Sequence, residues 1–317
     1  MNTFYKKTQA PIGKKTASIT KKAVPIVKKQ TKQTKESLDM PKMLNTYIGP
    51  KGYTILKSEL TEKQINQIKE ALIVKPFTPG ISLVATTTFP VYRESTQKLY
   101  VPRFFGVAHF GPPKQVKIPE GDDIDVPFSG TLRDYQIEVV DAYKKVVGVD
   151  VPSSGAQGGL VNLPCGYGKT TVALNIVSVI RKKTLIIVHK EFLLNQWVER
   201  INQYLPTARI GRIQGQIIDV ENKDIVIGML QSLSMKDYDD SVFASFGMVL
   251  IDEVHHIGSE VFSCALFKIV PKYTLGLSAT MDRKDGTTFV FKMFLGDIVY
   301  KIGEKKQRNV LVRAIHY

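Results

Sequence analysis

A Lys-Thr pair behind two glycines, two adjacent carboxylates closing an apolar run, and a Ser-Ala-Thr closing another are the residues of this chain whose types and spacing could do chemistry. The first group lies in VNLPCGYGKTT, residues 161–171. A strict phosphate-binding loop carries Gly six positions ahead of its Lys, and here that position holds Leu163. What remains is Gly166, Gly168, Lys169 and Thr170, with Pro164, Cys165 and Tyr167 in the same loop and Thr171 opening an apolar run of helical spacing. Glycines let backbone amides approach an anion, and a helix starting there aims its free amides and positive dipole end at it. Lys169 would then reach the β- and γ-phosphates of a nucleotide, and Thr170 would offer its hydroxyl to Mg2+. Taken alone, a glycine-rich turn explains the same letters.

The second group is MVLIDEVHH, where the run Met248–Ile251 ends at Asp252 and Glu253. In a nucleotide site Asp252 would hold Mg2+ and Glu253 would polarise the attacking water. Acids after a strand also cap helices. His255 and His256 suggest a metal, but no further ligand set accompanies them. The third group, Ser278, Ala279 and Thr280 in LGLSAT, is by itself an ordinary strand end.

Positioning all three requires elements that deliver them to one place. From Leu132 onward, helix-periodic segments (TTVALNIVSVI, EFLLNQWVERINQY, SEVFSCALFKIV) alternate with apolar ones (TLIIV, DIVIG, GMVLI, YTLGLSAT). Continuous apolar strands alternating with helices predict an α/β fold whose parallel sheet is covered on both faces. Ligands of such sheets bind beyond the carboxyl ends of the strands, where the three groups fall in order. Upstream, residues 45–128 predict a small α+β domain. Its helix runs from about Thr61 to Leu72, with Thr61 and Gln64 spaced as a capping box. ISLVATTTFPVY and KLYVPRFFGVAHF read as short strands, and GPPKQVKIPEGDDIDVPFSG reads as a linker. The aromatic and basic residues between Tyr92 and Lys117 would suit either a single-strand stacking face or a strand core with solvated charges outside.

The 317 residues carry a formal charge of +15, of which residues 1–36, with ten Lys and one acid, supply +9. That Lys-rich stretch is too poor in apolar residues to offset the entropy of ordering, so residues 1–44 read as a disordered tail. It would serve as a solubilising arm or as a nucleic-acid-binding or nuclear-addressing one. The absence of Arg argues against a transit peptide. No signal-peptide or membrane-spanning stretch is apparent, which predicts an intracellular protein without a membrane partner. Cys165 and Cys264 cannot build a disulfide framework or a zinc site.

Together, LPCGYGKT, DEVH and SAT, with LRDYQ at residues 132–136, resemble motifs I, II and III and the Q motif of superfamily 2 helicases. That superfamily uses the shorter glycine signature, which accounts for Leu163. LPCGYGKT with GLSATMDRKDG is most similar to the xeroderma pigmentosum group B type, including the helicases of large nucleocytoplasmic DNA viruses such as the poxvirus transcript-release helicase; YIGPKGYTILKSEL shares the viral likeness.

The resemblance implies a RecA-like lobe over residues 129–305, with ATP and Mg2+ as cofactors. It implies that Gln136 reads adenine, Arg133 supports that pocket, and Ser278 and Thr280 couple hydrolysis to movement. VHKEFLLNQW, RIQG and GMLQSL resemble strand-contacting motifs, which places His189, Lys190, Gly215, Gln231 and Ser232 against a nucleic-acid backbone. The implied partner is DNA, single- or double-stranded and read without sequence preference, with RNA as the alternative polymer and transcription machinery as candidate company. If viral, the protein would act in the virion or host cytoplasm, with the nucleus also open to it. A second RecA-like lobe with the arginines that complete the ATP site is expected, and residues 306–317 would begin the connection to it. The chain therefore reads as part of a longer enzyme that hydrolyses ATP poorly alone. The competing reading is a nucleic-acid-binding scaffold that keeps an ATP pocket without turnover.

Overall fold

The computed structural model describes residues 45–77, 87–148, 157–239, 241–257, 259–281 and 283–302. The tail expected over 1–44 and the connection expected over 306–317 lie outside these residues, as does the first half of ISLVATTTFPVY.

The larger sheet is built from β8 (Gln157–Asn162), β9 (Thr184–Val188), β10 (Ile210–Gln214), β11 (Ile217–Asp219), β12 (Ile225–Met229), β13 (Met248–Ile251), β14 (Tyr273–Ser278) and β15 (Ile298–Lys301). Their order is β11-β10-β12-β9-β13-β14-β8-β15, parallel throughout except for the edge strand β11. Helices cover both faces, and the strand alternation shows how the core divides. Val161, Ile186, Val188 and Leu250 pack with α3 (Asp134–Val147), α4 (Lys169–Ile180) and α5 (Glu191–Tyr204). Their neighbours Leu160, Leu185, Ile187 and Val249 pack on the other side with α6 (Leu230–Met235), α8 (Ser259–Leu266) and α9 (Thr288–Leu295). The short α7 (Ser241–Ala244) leads into β13. Burial on both faces is why these strands read as unbroken apolar runs.

The N-terminal residues form a five-stranded sheet of order β5-β6-β2-β1-β7, from β1 (Tyr47–Gly49), β2 (Gly52–Leu56), β5 (Arg93–Glu94), β6 (Lys98–Val101) and β7 (Gln115–Val116). A small pair, β3 (Ile73–Val74) with β4 (Phe89–Pro90), accompanies it. Helix α1 (Glu62–Ala71) starts with the expected box: Thr61 N–H donates to Gln64 Oε1 at 2.9 Å, and Gln64 N–H to Thr61 Oγ1 at 3.3 Å. RFFGVAHF, expected as strand, is helix α2 (Arg103–Phe110). Its aromatic content favours strand, but tertiary packing overrides that: the helix buries Arg103, Phe105 and Gly106 together, and a Cβ on Gly106 would lie 2.2 Å from the Tyr53 ring.

Arg103 fastens this module to the larger sheet. Its guanidinium donates to the carbonyls of Pro271 (2.5 Å), Lys272 (3.1 Å) and Gln157 (3.2 Å) and to Thr274 Oγ1 (2.7 Å). These partners sit at the amino ends of β8 and β14. The stretch read as a linker is also tied down. Ile124 and Val126 are buried in the sheet's core, and Asp123 bridges to Lys182.

Candidate active site and nucleic-acid interface

Because β8, β13 and β14 are neighbours, the loops after them meet at one edge. Gly168 is the N-cap of α4, with φ +73°, and no side chain caps the helix, so its first-turn amides face the loop. Gly166 is also left-handed, with φ +80° and open space where a Cβ would stand. At Gly168 a Cβ would lie 2.5 Å from Gln136 Nε2. The loop is held from α3: Gln136 Nε2 and Tyr135 Oη both donate to the Tyr167 carbonyl, at 3.2 and 3.1 Å. Gln136 Oε1 accepts from Arg133 N–H at 2.9 Å, and the exposed Arg133 side chain reaches Tyr135 Oη at 3.2 Å. In this arrangement Gln136 is buried and spends both amide atoms on protein partners. Pro164, Thr170 and Thr171 are half-buried beside the loop, and Cys165 is exposed.

Lys169 Nζ lies 3.2 Å from Glu253 Oε1, which brings the first and second groups into contact. Asp252 is buried, with Oδ2 accepting from Trp197 Nε1 at 2.9 Å and Oδ1 from Glu253 N–H at 2.9 Å. Burial pushes the Asp252 carboxyl up, and the adjacent Glu253 charge adds to this. Glu253 itself is left-handed at φ +46°, a costly conformation away from glycine. Its Oε2 is buried without a hydrogen bond. His255 Nδ1 lies 3.3 Å from that oxygen but shares its hydrogen bond with Ser278 Oγ at 2.7 Å. Ser278 Oγ also donates to the Thr280 carbonyl, so the third group is joined to the second; Ala279 is half-buried and Thr280 exposed. Burial, with His256 close by, lowers His255 and favours its neutral form.

Two residues of this cluster lie inside VHKEFLLNQW and GLSATMDRKDG without a role that the sequence assigns. Trp197, the only tryptophan, comes from α5. Arg283 donates to the carbonyls of His255 (2.5 Å) and Ile257 (2.7 Å) while pairing with Asp285, and so pins the turn after Glu253. His255, His256, Thr280, Arg283, Lys284 and Asp285 line an open pocket of about 360 Å³.

The candidate strand-contacting residues gather on the other half of the same edge, after β9, β10 and β12. Gln231 Nε2 donates to the His189 carbonyl at 3.0 Å, and Gly215 N–H, at φ +57°, to Ser232 Oγ at 2.9 Å. Lys190 extends over the exposed Phe192 ring, 5.9 Å from its centre. Where the halves meet, the His189 and His256 rings are 5.7 Å apart. Among the described residues there is no His, Cys, Asp and Glu cluster able to hold a metal by itself.

A family model described as the res subunit of type III restriction enzymes matches residues 129–283, a span that contains the Lys169, Asp252–Glu253 and Ser278–Thr280 loops and the candidate strand-contacting residues. The chain carries this helicase domain, and its homologues are viral helicases and a translocase of the xeroderma pigmentosum group B type. It is 33% identical over 283 residues to protein L396 of Acanthamoeba polyphaga mimivirus, named for an ATP-dependent RNA helicase, covering 88% of this chain and 53% of that one. It is 34% identical over 197 residues to the DNA 3'-5' translocase XPB2 of Sulfurisphaera tokodaii, covering 59% and 40%. The chain therefore spans about half the length of the curated relatives it matches. In fold it is similar to the UvsW helicase of bacteriophage T4, with a TM-score of 0.54 at 17% identity over 82% of this chain and all of that one. RecA-like architecture and membership of an ATP-dependent helicase family are thereby established.

Proposed function

We propose that this chain is the nucleotide-binding half of a DNA translocase, in which the β8–β13–β14 edge handles ATP and the β9–β10–β12 edge handles a nucleic-acid backbone. The observation that supports it best is the meeting of Lys169 with Glu253, 3.2 Å apart, beside an uncapped helix end. A half-buried Glu253 whose second oxygen is buried without a hydrogen bond fits a site completed by its ligand.

The donors present fit a triphosphate and Mg2+. Gly166, Gly168 and the first amides of α4 would cradle phosphates, with Lys169 shifting from Glu253 to the β- and γ-oxygens. Thr170 and Asp252 would hold the ion, whose charge would favour the ionised form that burial opposes at Asp252. Mg2+, when bound, neutralises charge on phosphate oxygens. Glu253, released by Lys169, orients and deprotonates the attacking water. Gln136 and Arg133 reach adenine by way of the Pro164–Thr171 loop. Ser278, through His255, reports the state of Glu253 to the loop at Ala279 and Thr280. His189, Lys190, Gly215, Gln231 and Ser232 contact phosphates, so binding is independent of sequence.

DNA as the polymer, viral transcription or genome processing as the role, and action inside the cell or virion belong to this reading, supported by the translocase and the viral relatives. The test is ATPase activity of the longest available product, with single- and double-stranded DNA and with RNA, against residues 1–317 alone. A second lobe's arginines are worth about 10³ to 10⁵ in rate in related chemistry, so the short chain should be nearly inactive and the long one DNA-stimulated. A long product that binds ATP but shows no stimulated turnover would instead establish the scaffold reading.

A further inference from the structure

The outward side of the N-terminal sheet carries a row of residues unused by any motif above. The strand register sets Tyr47 of β1 opposite Thr54 of β2, and Thr54 opposite Tyr100 of β6. The alternate residues Ile48, Tyr53, Ile55, Leu99 and Val101 are the buried core of this module. Tyr47 and Tyr100 therefore stand on the opposite face, both partly exposed. With one strand between them, their backbones are about 10 Å apart, so the rings can receive separate bases.

Three lysines surround these rings. Lys117 Nζ is 4.5 Å and Lys98 Nζ 5.6 Å from the centre of the Tyr47 ring, and Lys51 Nζ is 5.7 Å from that of Tyr100. Among the described residues none of the three has a carboxylate partner, whereas Lys57 and Lys69 on the same module both pair with Glu94. Unneutralised cations interleaved with partly exposed aromatic rings are complementary to a strand whose bases are free to stack. A duplex hides its base faces, and a protein partner would call for an apolar centre that this face lacks.

We propose that this face binds single-stranded DNA, with bases stacked on Tyr47 and Tyr100 and phosphates held by Lys51, Lys98 and Lys117. A cation over a partly exposed ring is weakly held, so a base takes the ring while the lysine moves to phosphate. Arg103 docks the module at the amino ends of β8 and β14, opposite the Lys169 loop, so a strand here leaves the nucleotide pocket free. The choice of DNA rests on the function proposed above.

The experiment is fluorescence anisotropy of the purified protein with labelled oligo-dT, without nucleotide and over a salt series. The oligomer is about 20 nucleotides, longer than a typical stacking site. Tyr47→Ala and Tyr100→Ala should each weaken binding about 5- to 100-fold, and Tyr47→Phe and Tyr100→Phe should restore it, which separates stacking from folding damage. Replacing Lys51, Lys98 and Lys117 with Gln should reduce the slope of log affinity against log salt by about 2. Alanine variants that bind like the parent would overturn the proposal. So would equal competition by duplex, and tighter binding of oligo-U would overturn the assignment to DNA. If the parent binds no nucleic acid and the longest available product shows no stimulated ATPase, the translocase reading itself fails. Stimulation that persists beside indifferent tyrosine variants removes only this face.

Discussion

Arg103 and Lys169 are both cations drawn into the protein, one toward each end of strand β8. Arg103 makes four hydrogen bonds to carbonyls and a hydroxyl with no carboxylate near, and burial holds it down to about 10, still charged at neutral pH. Lys169 has one carboxylate, Glu253, and a long contact to the Leu163 carbonyl at 3.5 Å. Around it stand a left-handed Glu253, an unpartnered Glu253 oxygen and a buried Asp252 that burial pushes toward protonation. Saturated polar contacts hold two modules together. Unsaturated ones, kept in place by Trp197, Gln136 and Arg283, leave room for a ligand.

The largest effect should come from the unsaturated end. Glu253→Gln keeps size and hydrogen bonding but removes the base, so turnover of the full-length enzyme should fall roughly 10²- to 10⁴-fold with ATP still bound. Lys169→Ala should instead weaken nucleotide affinity. Steady-state ATPase and nucleotide titration on both variants separate the two; near-parental turnover in Glu253→Gln would remove Glu253 from the chemistry.

The saturated end should show its effect in stability. Arg103→Ala strands the carbonyls of Gln157, Pro271 and Lys272 and opens a gap between modules, a loss of about 2–4 kcal/mol. Thermal unfolding would register it, and nucleotide affinity below the melting range should be unchanged. A selective loss of nucleotide affinity would show that the two ends communicate.

How far each end can be read from sequence differs for the same reason. The helix α5, the capping box at Thr61 and the runs TLIIV and MVLI announce themselves through periodicity, and the Lys169, Asp252 and Ser278 groups through order along the chain. Strand β8 does not, because Gly158 and Gly159 weaken any strand signal. They are glycines since a Cβ would meet Thr274 Oγ1 at 1.9 Å and Val299 at 2.2 Å, contacts set by β14 and β15 far along the chain. Arg103 with Gln157, Trp197 with Asp252 and Arg283 with His255 are likewise long-range pairs that no local pattern encodes. Helix α2 was masked by its own aromatics.

Gly168 tests whether the loop's rigidity or merely its openness matters. Gly168→Ala imposes a left-handed alanine, about 1–2 kcal/mol, and drives a Cβ toward Gln136 Nε2, breaking the contact with the Tyr167 carbonyl. Gly166→Ala imposes similar backbone strain with no collision. Gly168→Ala should therefore lower nucleotide affinity several-fold more than Gly166→Ala, and combining it with Gln136→Ala should recover part of the difference. Equal losses at the two glycines would mean that Gln136 does not position the loop.

The smallest effect concerns the clamp at the rim of the unsaturated end. The Arg283 guanidinium beside Asp285 holds its carboxyl down at about 2, against an ordinary value of 3.8. A depressed folded value means that this pair's contribution to stability is complete above pH 4 or so and is lost as pH falls through about 2. Asp285 is partly exposed, so screening limits the contribution to under about 1 kcal/mol. The expected result is a small gap in urea-unfolding midpoint between parent and Asp285→Asn at pH 6, narrowing steadily below pH 4. Because Arg283 also holds the carbonyls of His255 and Ile257, Arg283→Ala should cost more than Asp285→Asn and should lower turnover as well. A gap that stays constant with pH would show that the clamp acts through those carbonyls alone, and that the rim is built like the Arg103 end rather than like the Lys169 end.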